Sequence, residues 1–194
     1  MRTVFVDVDT QFDFLFPAGA LYVPGAERLL PAIARLNRFA AAHDVPLIST
    51  TDAHLENDPE FQSWPPHGIA GTAGQHKPPA TLLVRRATLS MQLAAPIELA
   101  DQIIVEKRAL DVFTNPNFRA LLDRLAADRY VVYGVATDYC VRCALFGLLG
   151  TGKAVTLVTD AIAAVNSGDG AATLREFVAQ GGMPATSTAL TEAL

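Results

Sequence analysis

The segment GVATDYCVRC, residues 134–143, holds both cysteines of the chain, at positions 140 and 143. A C-x-x-C pair admits three chemistries: a dithiol redox couple, part of a metal site, or one nucleophilic thiol beside an inert neighbour. The charges that reach the same place decide among them. VDVDTQFDF (6–14) carries acids at the end of a β-rich run, and QIIVEK (102–107) ends in Lys107. In an open parallel sheet, reactive groups collect beyond the carboxyl ends of the strands. Asp9, Lys107 and Cys140 hold that position on three different runs. They form a nucleophilic set: a carboxylate to accept a proton, an ammonium to favour a thiolate, and the sulfur itself. Cys140 also opens a predicted helix, where free N–H groups and the macrodipole favour anionic sulfur.

The elements that must position these groups alternate along the chain. TVFVDV (3–8), VPLISTT (45–51), QIIVEK (102–107), RYVVYGV (129–135) and AVTLVTD (154–160) are compact Val/Ile-rich runs without polar alternation, the pattern of buried strands. PATSTAL (184–190) is read as a last strand. Helical spacing marks 26–43, 115–128, 138–152 and 168–182. Asn115 is placed to cap ahead of Pro116, and glycines close the last two helices. Strand–helix alternation implies an α/β, three-layer, doubly wound (Rossmann-like) fold, with a mostly parallel sheet and helices on both faces. The Gly- and Pro-containing stretch 68–101 is expected to be a long irregular excursion over the surface, covering a site.

The 194 residues suit one domain, 1–194. With 51% hydrophobic and 18% charged residues the composition is globular. A net charge of -5 without a basic cluster argues against nucleic acid as a partner. The opening MRTVFVDVDTQFDF reads as neither a signal peptide nor a membrane span, so a cytoplasmic protein without membrane contact is expected.

Asp7 and Asp9, two residues apart, are expected on one face of the first strand, with Asp7 deeper as a hydrogen-bonded structural acid. Asp13 falls in the following loop. VDTQFDF (8–14) resembles the V-D-x-Q-x-D-F opening of the nicotinamidase and isochorismatase-like cysteine hydrolases, and GVATDYCVR (134–142) resembles their nucleophile turn. The order Asp9, Lys107, Cys140 matches as well, and the resemblance runs from the first strand to about residue 160. It selects Asp9 among the acids. It implies a six-stranded parallel sheet and a cysteine amidase in which Cys140 attacks an amide carbonyl, Asp9 shuttles the proton and Lys107 supports both charges. It further implies a cis peptide at Val135–Ala136, with the N–H groups of Ala136 and Cys140 as the oxyanion hole, and a dimer or tetramer.

Asp52 and His54 leave the second strand two residues apart, so one extended segment can point both to the same side, and a loop can return His67 to them. Imidazoles with a carboxylate suit one divalent ion, zinc first, with iron or manganese as alternatives. D-A-H (52–54) and W-P-P-H (64–67) resemble the metal loop of nicotinamidases, and Phe14 and Trp64 match the aromatic residues that sandwich the substrate ring there. Taken alone, both also read as core aromatics. Asp58 stands where many nicotinamidases have a further histidine, and reads either as a ligand, direct or through water, or as a helix cap. Gly68 replaces a usual cysteine, a change of packing more than of ligation. The segment 107–113 lacks the usual Ser-Ala and brings Asp111 near the site. His43 and His76 read as solvated.

The sequence therefore favours a metal-assisted cysteine amidohydrolase acting on a small-molecule amide, nicotinamide first. An amidase for another small amide or ureido (carbamoyl) compound is the nearest alternative, followed by an isochorismatase-like hydrolase, whose relatives do not need the metal loop. A C-x-x-C redox protein lacks a reason for the lysine and the acid. Intact Asp9, Lys107 and Cys140 argue against a catalytically silent scaffold. Cys143→Ser separates the classes: near-normal amide turnover is expected, and loss of activity in that variant would favour the redox reading.

Overall fold

The computed structural model describes residues 1–192. Among the described residues, seven strands form one sheet: β1 (Thr3–Val8), β2 (Leu47–Asp52), β3 (Arg86–Leu89), β4 (Gln102–Lys107), β5 (Arg129–Val135), β6 (Ala154–Ala163) and β7 (Met183–Ala185). Their order is β3-β4-β2-β1-β5-β6-β7, and every pairing is parallel. The chain builds outward from β1 through β2, then returns across β1 to build β5, β6 and β7. The direction of winding therefore reverses at β1, and a crevice opens there between the carboxyl ends of the strands.

Alternation along β1 divides two cores between the faces. Val4, Val6 and Val8 join Ile48, Ile103, Val105 and Val132 under the helices α3 (Phe118–Leu125), α4 (Cys140–Leu149) and α5 (Ser167–Ala179). Phe5 joins Leu47, Val131 and Tyr133 under α2 (Leu30–Ala42), through Ile33, Leu36 and Ala40, and Leu190 of α6 (Ser187–Glu192) seals the same side. The short α1 (Phe12–Leu15) follows β1 directly. The α/β three-layer reading holds, with seven strands instead of six.

The extra strand is β3, within the excursion 68–101. It escapes sequence reading because RATL is an edge strand with two of its four residues exposed and a third half-buried, so no buried apolar run marks it. The stretch expected as a last strand over 184–190 is a three-residue strand followed by a helix. Asp160 accepts hydrogen bonds from the N–H and hydroxyl of Ser187, and these turn the chain into α6. Asn115 does not cap α3, which starts at Phe118. Its amide instead donates to the Glu106 carbonyl at 2.7 Å, and its Oδ1 accepts from Asn117 N, fixing the exit from β4. The rest of the excursion is sewn to the start of the chain. Phe12 N donates to the His76 carbonyl and Asp13 N to that of Gly74, while Lys77 Nζ reaches Thr10 Oγ1 at 2.7 Å and Asp7 Oδ2 at 3.3 Å.

Asp7 anchors a buried polar network on the α2 side. It accepts from Thr10, Asn37 and Ser49, and Asn37 in turn donates to the Thr81 carbonyl and accepts from Tyr133. Among the described residues, no helix is long and apolar enough to cross a membrane. Asn37→Ala strands the Tyr133 hydroxyl away from water and removes one donor from Asp7 and from the Thr81 carbonyl, which keeps Gln102, and a loss of about 1–3 kcal/mol is expected. Urea denaturation checks it, and a change below about 1 kcal/mol would show that the network is not structural.

Candidate active site

β1 ends at Val8, and Asp9 adopts a left-handed backbone, φ 48°. That turn overrides strand alternation and corrects the expectation that Asp7 and Asp9 share a face. Asp7 bonds to Ser49, whereas Asp9 accepts from the hydroxyl of Thr50 at 2.6 Å. Consecutive residues of β2 point to opposite faces, so the two acids lie on opposite sides of the sheet. An uncommon conformation for a non-glycine residue thus aims a carboxylate into the crevice. Gly134, opposite Val8 in β5, carries no Cβ because one would lie 2.1 Å from the Val8 carbonyl oxygen.

Lys107, at the end of β4, extends into the same crevice with 1% of its surface exposed. Its Nζ lies 2.9 Å from Asp9 Oδ2, contacts Asp52 Oδ1, and stands 3.6 Å from Cys140 Sγ. The three residues predicted from separate strands therefore meet at one ammonium. Burial alone would lower the Lys107 pKa, but Asp52, Asp9 and Cys140 hold it well above its usual value. Burial raises the Asp9 carboxyl, with Lys107 opposing and Asp52 assisting the rise. For Asp52 burial again opposes ionisation, yet Lys107 and the two histidines keep it below the carboxylate range.

The Cys140 thiol departs from expectation. Burial pushes its pKa well above the ordinary value, and the neighbouring carboxylates add to the rise against the pull of Lys107. Loss of water at the first residue of α4 thus works against the thiolate more strongly than the helix start and one shared cation favour it. Asp9, beside it, is the group able to take its proton.

Asp52 faces two ways. Its Oδ1 is on Lys107, while Oδ2 lies 3.7 Å from His54 Nε2 and 3.6 Å from His67 Nε2. One donor atom from each of the three lies within 4.8 Å of the others, and all three residues are buried. The return of His67 is built by backbone pairing: His54 N donates to the Gly68 carbonyl, Ala70 N to that of His54, and His54 pairs with Ile69. Gly68 has φ 53°, and a Cβ there would stand 2.6 Å from that of Asp52, so the substitution is one of packing. His67 Nδ1 faces the Pro65 carbonyl at 2.7 Å, which leaves Nε2 for a ligand. Neither ring nitrogen of buried His54 has a hydrogen-bond partner. The 3.1 Å approach of Nδ1 to Asp58 Oδ2 is an ionic contact off the bonding direction. Neighbouring ligands of one small divalent ion stand about 3–3.5 Å apart, so this set fits a metal. Asp58 caps the turn Pro59–Gln62 through Glu60 N and backs His54 from behind.

The thiol opens into one cleft with Asp52 and His67, while His54 lies buried behind them. The cleft wall includes Ala136, Phe14 and Trp64, as expected from the sequence, together with Leu110, Tyr139, Glu60 and Val165, which sequence reasoning missed. Phe14 packs edge-on to His67 and Trp64 edge-on to Tyr139. The Val135–Ala136 peptide is cis. Asp111 caps the turn Val112–Thr114 and lies outside the cleft wall. His43 and His76 are exposed. Gln11 was noticed only as part of a motif, yet its amide grips Asp52 from both sides, accepting from Asp52 N at 2.7 Å and donating to Asp52 O at 3.0 Å.

A family model for the isochorismatase domain matches residues 3–189. The chain belongs to this family. Within it, the chain is 29% identical over 185 residues to a nicotinamidase/pyrazinamidase of Mycobacterium tuberculosis, covering 91% of this chain and 94% of that one. The pyrazinamidase of Pyrococcus horikoshii, solved in complex with zinc, superposes with a TM-score of 0.80 at 26% identity, over 96% of this chain and 99% of that one. An isochorismatase-like hydrolase from Alkaliphilus metalliredigens gives a TM-score of 0.83 at 23% identity, over 100% of this chain and 99% of that one, a likeness of fold.

Lys107→Met tests the shared cation. Removing the ammonium raises the Cys140 pKa further, so less thiolate forms at a given pH. Alkylation of Cys140 by iodoacetamide at pH 8, followed by peptide mass spectrometry, is expected to slow at least about tenfold, a modest fraction of the Coulomb energy at this separation. An unchanged rate would show that the lysine does not act on the sulfur.

Proposed function

We propose that the protein is a metal-assisted cysteine amidohydrolase whose leading reaction converts nicotinamide to nicotinate and ammonia. The single observation that carries the reading is Lys107 Nζ in contact with Asp9, Asp52 and Cys140 together. A lysine joining a thiol to one free acid and to one acid of a metal set serves acyl transfer, and has no task in a dithiol couple. Support for nicotinamide comes from the mycobacterial nicotinamidase/pyrazinamidase and from the aromatic walls at Phe14 and Trp64.

In the proposed sequence the Asp9 carboxylate takes the thiol proton as sulfur attacks the amide carbonyl. The N–H groups of Ala136 and Cys140 receive the developing oxyanion. Neither donates to a backbone carbonyl outside the helices and strands, whereas those of Thr137, Tyr139 and Val141 do. Asp9 then passes its proton to the departing nitrogen, the C–N bond breaks, ammonia leaves, and a thioester to Cys140 remains. Water attacks the thioester with Asp9 again as base, releasing the carboxylic acid and restoring the thiol. Lys107 keeps its charge throughout and offsets the negative charge that moves between Asp9 and sulfur.

Asp52, His54 and His67 would hold one divalent ion, zinc by analogy with the Pyrococcus structure. Such an ion supplies a Lewis-acid anchor for a ring nitrogen. Phe14 and Trp64 flank the ring and exclude water.

Purified protein is expected to release ammonia from nicotinamide, and Cys140→Ala to lower kcat at least about a thousandfold with metal content retained. No release from nicotinamide alongside turnover of another small amide would replace the substrate and keep the amidase. About one divalent ion per chain is expected, and its loss in Asp52→Ala. Equal metal content in that variant by elemental analysis would remove the metal assignment.

A further inference from the structure

Val165 is the cleft residue that hydrophobic packing explains least. It lines the same cleft as Ala136, Tyr139 and Cys140, yet 41% of its surface is open. It sits in the three-residue link between β6 and α5, Ala164–Asn166, which has no strand ladder or helix of its own to fix it. What fixes it is Asp138, two residues before the nucleophile. Asp138 Oδ1 accepts from Val165 N at 3.0 Å, and Oδ2 accepts from Asn166 N at 2.7 Å. Hydrogen bonds to an ionised acceptor are roughly twice as strong as neutral ones, and two from one carboxylate define a direction as well as a distance.

The surroundings turn this pair of bonds into a frame. Thr137 N donates to the Ala163 carbonyl at 2.8 Å, so the residue before Asp138 is tied to the end of β6. On the far side, Asn166 caps α5 by accepting from Gly168 N and Asp169 N. A Cβ on Gly170 would lie 2.6 Å from that of Ala164, so the first turn of α5 presses on the link. The link is held at both ends by neighbours, but among the described residues only the Asp138 carboxylate ties Val165 itself by a hydrogen bond to the turn that carries Cys140.

We propose that Asp138 is a positioning residue for substrate selection: its carboxylate fixes Val165 as an apolar wall of the cleft, and that wall sets the width of the slot through which a flat ring reaches Cys140. This rests on the amidase reading for its enzymatic expression and on the geometry alone for the width of the slot. Asp138 touches no reacting atom. Its loss affects binding of the ring and leaves the bond-making groups, which β1, β4 and α4 hold, in place.

Two measurements test it. In Asp138→Ala, KM for nicotinamide is expected to rise about fivefold or more with kcat within about twofold, the pattern of lost ground-state and transition-state binding alike. Val165→Gly should raise KM similarly, and Asp138→Ala added to Val165→Gly should change it less than about twofold, because both substitutions remove one wall. The second measurement needs no substrate. Labelling of Cys140, located by peptide mass spectrometry, is compared for iodoacetamide and the bulkier N-phenylmaleimide. Asp138→Ala should accelerate the bulky reagent about fivefold and the small one less than about twofold, since only the wider slot discriminates by size. Asp138→Asn, which keeps one acceptor, replaces the alanine variant if that does not fold, and an intermediate effect is expected. Equal acceleration of both reagents, no change in either, or a full effect persisting without the Val165 side chain overturns the proposal. If the wild-type protein does not hydrolyse nicotinamide, the substrate assignment fails, and the labelling comparison still decides the role of Asp138.

Discussion

The structure of the site depends on one buried cation. The ammonium of Lys107 is removed from water and tolerable only because two carboxylates and a thiol surround it. Removing one partner from such a buried pair costs about 3–5 kcal/mol, since the remaining charge has nowhere to turn. The strands that carry these partners are thereby tied at their carboxyl ends by side chains as well as by the backbone bonds from Asp9 N to the Thr50 carbonyl and from Ala53 N to that of Lys107. The same constraint sets the direction of each group's proton affinity: Lys107 lowers that of Asp52, the carboxylates raise that of Lys107, and burial raises those of Cys140 and Asp9.

Asp52 links two functions through its two oxygens. One belongs to Lys107 and the other to the histidine pair, so the metal set and the thiol site share a single rigid group. Gln11 holds that group by the backbone, from a loop that also receives the Gln75 carbonyl and is stitched to the excursion. The excursion is thus part of the support behind the site, through Gln75, His76 and Lys77, and also the source of the edge strand β3.

On the opposite face, Asp7 performs a different task with the same chemistry. Lys77, Asn37, Ser49 and Thr10 surround it, and Tyr133 completes the network through Asn37. Two acids two residues apart, one in β1 and one just past its end, thus serve two sides of the sheet, one structural and one facing the reactive thiol. The left-handed turn at Asp9 makes that division possible.

The sequence by itself determined the strand–helix alternation, the family resemblance, and the identity of the groups that gather: Asp9, Lys107, Cys140, Asp52, His54, His67, Phe14 and Trp64. Their placement was legible because buried apolar runs and short motifs are local, and because the carboxyl ends of parallel strands have a fixed direction. β3 was hidden because an exposed edge strand has no apolar signature, and Asn115 because its partners come from another strand. Only the tertiary structure decided which face Asp9 takes, since a single backbone angle reverses alternation. It alone set the upward shift of the Cys140 thiol, since desolvation is a property of the assembled surroundings. It alone brought Glu60, Tyr139 and Val165 to the cleft, because a wall made of side chains from distant loops exists only when the chain has folded.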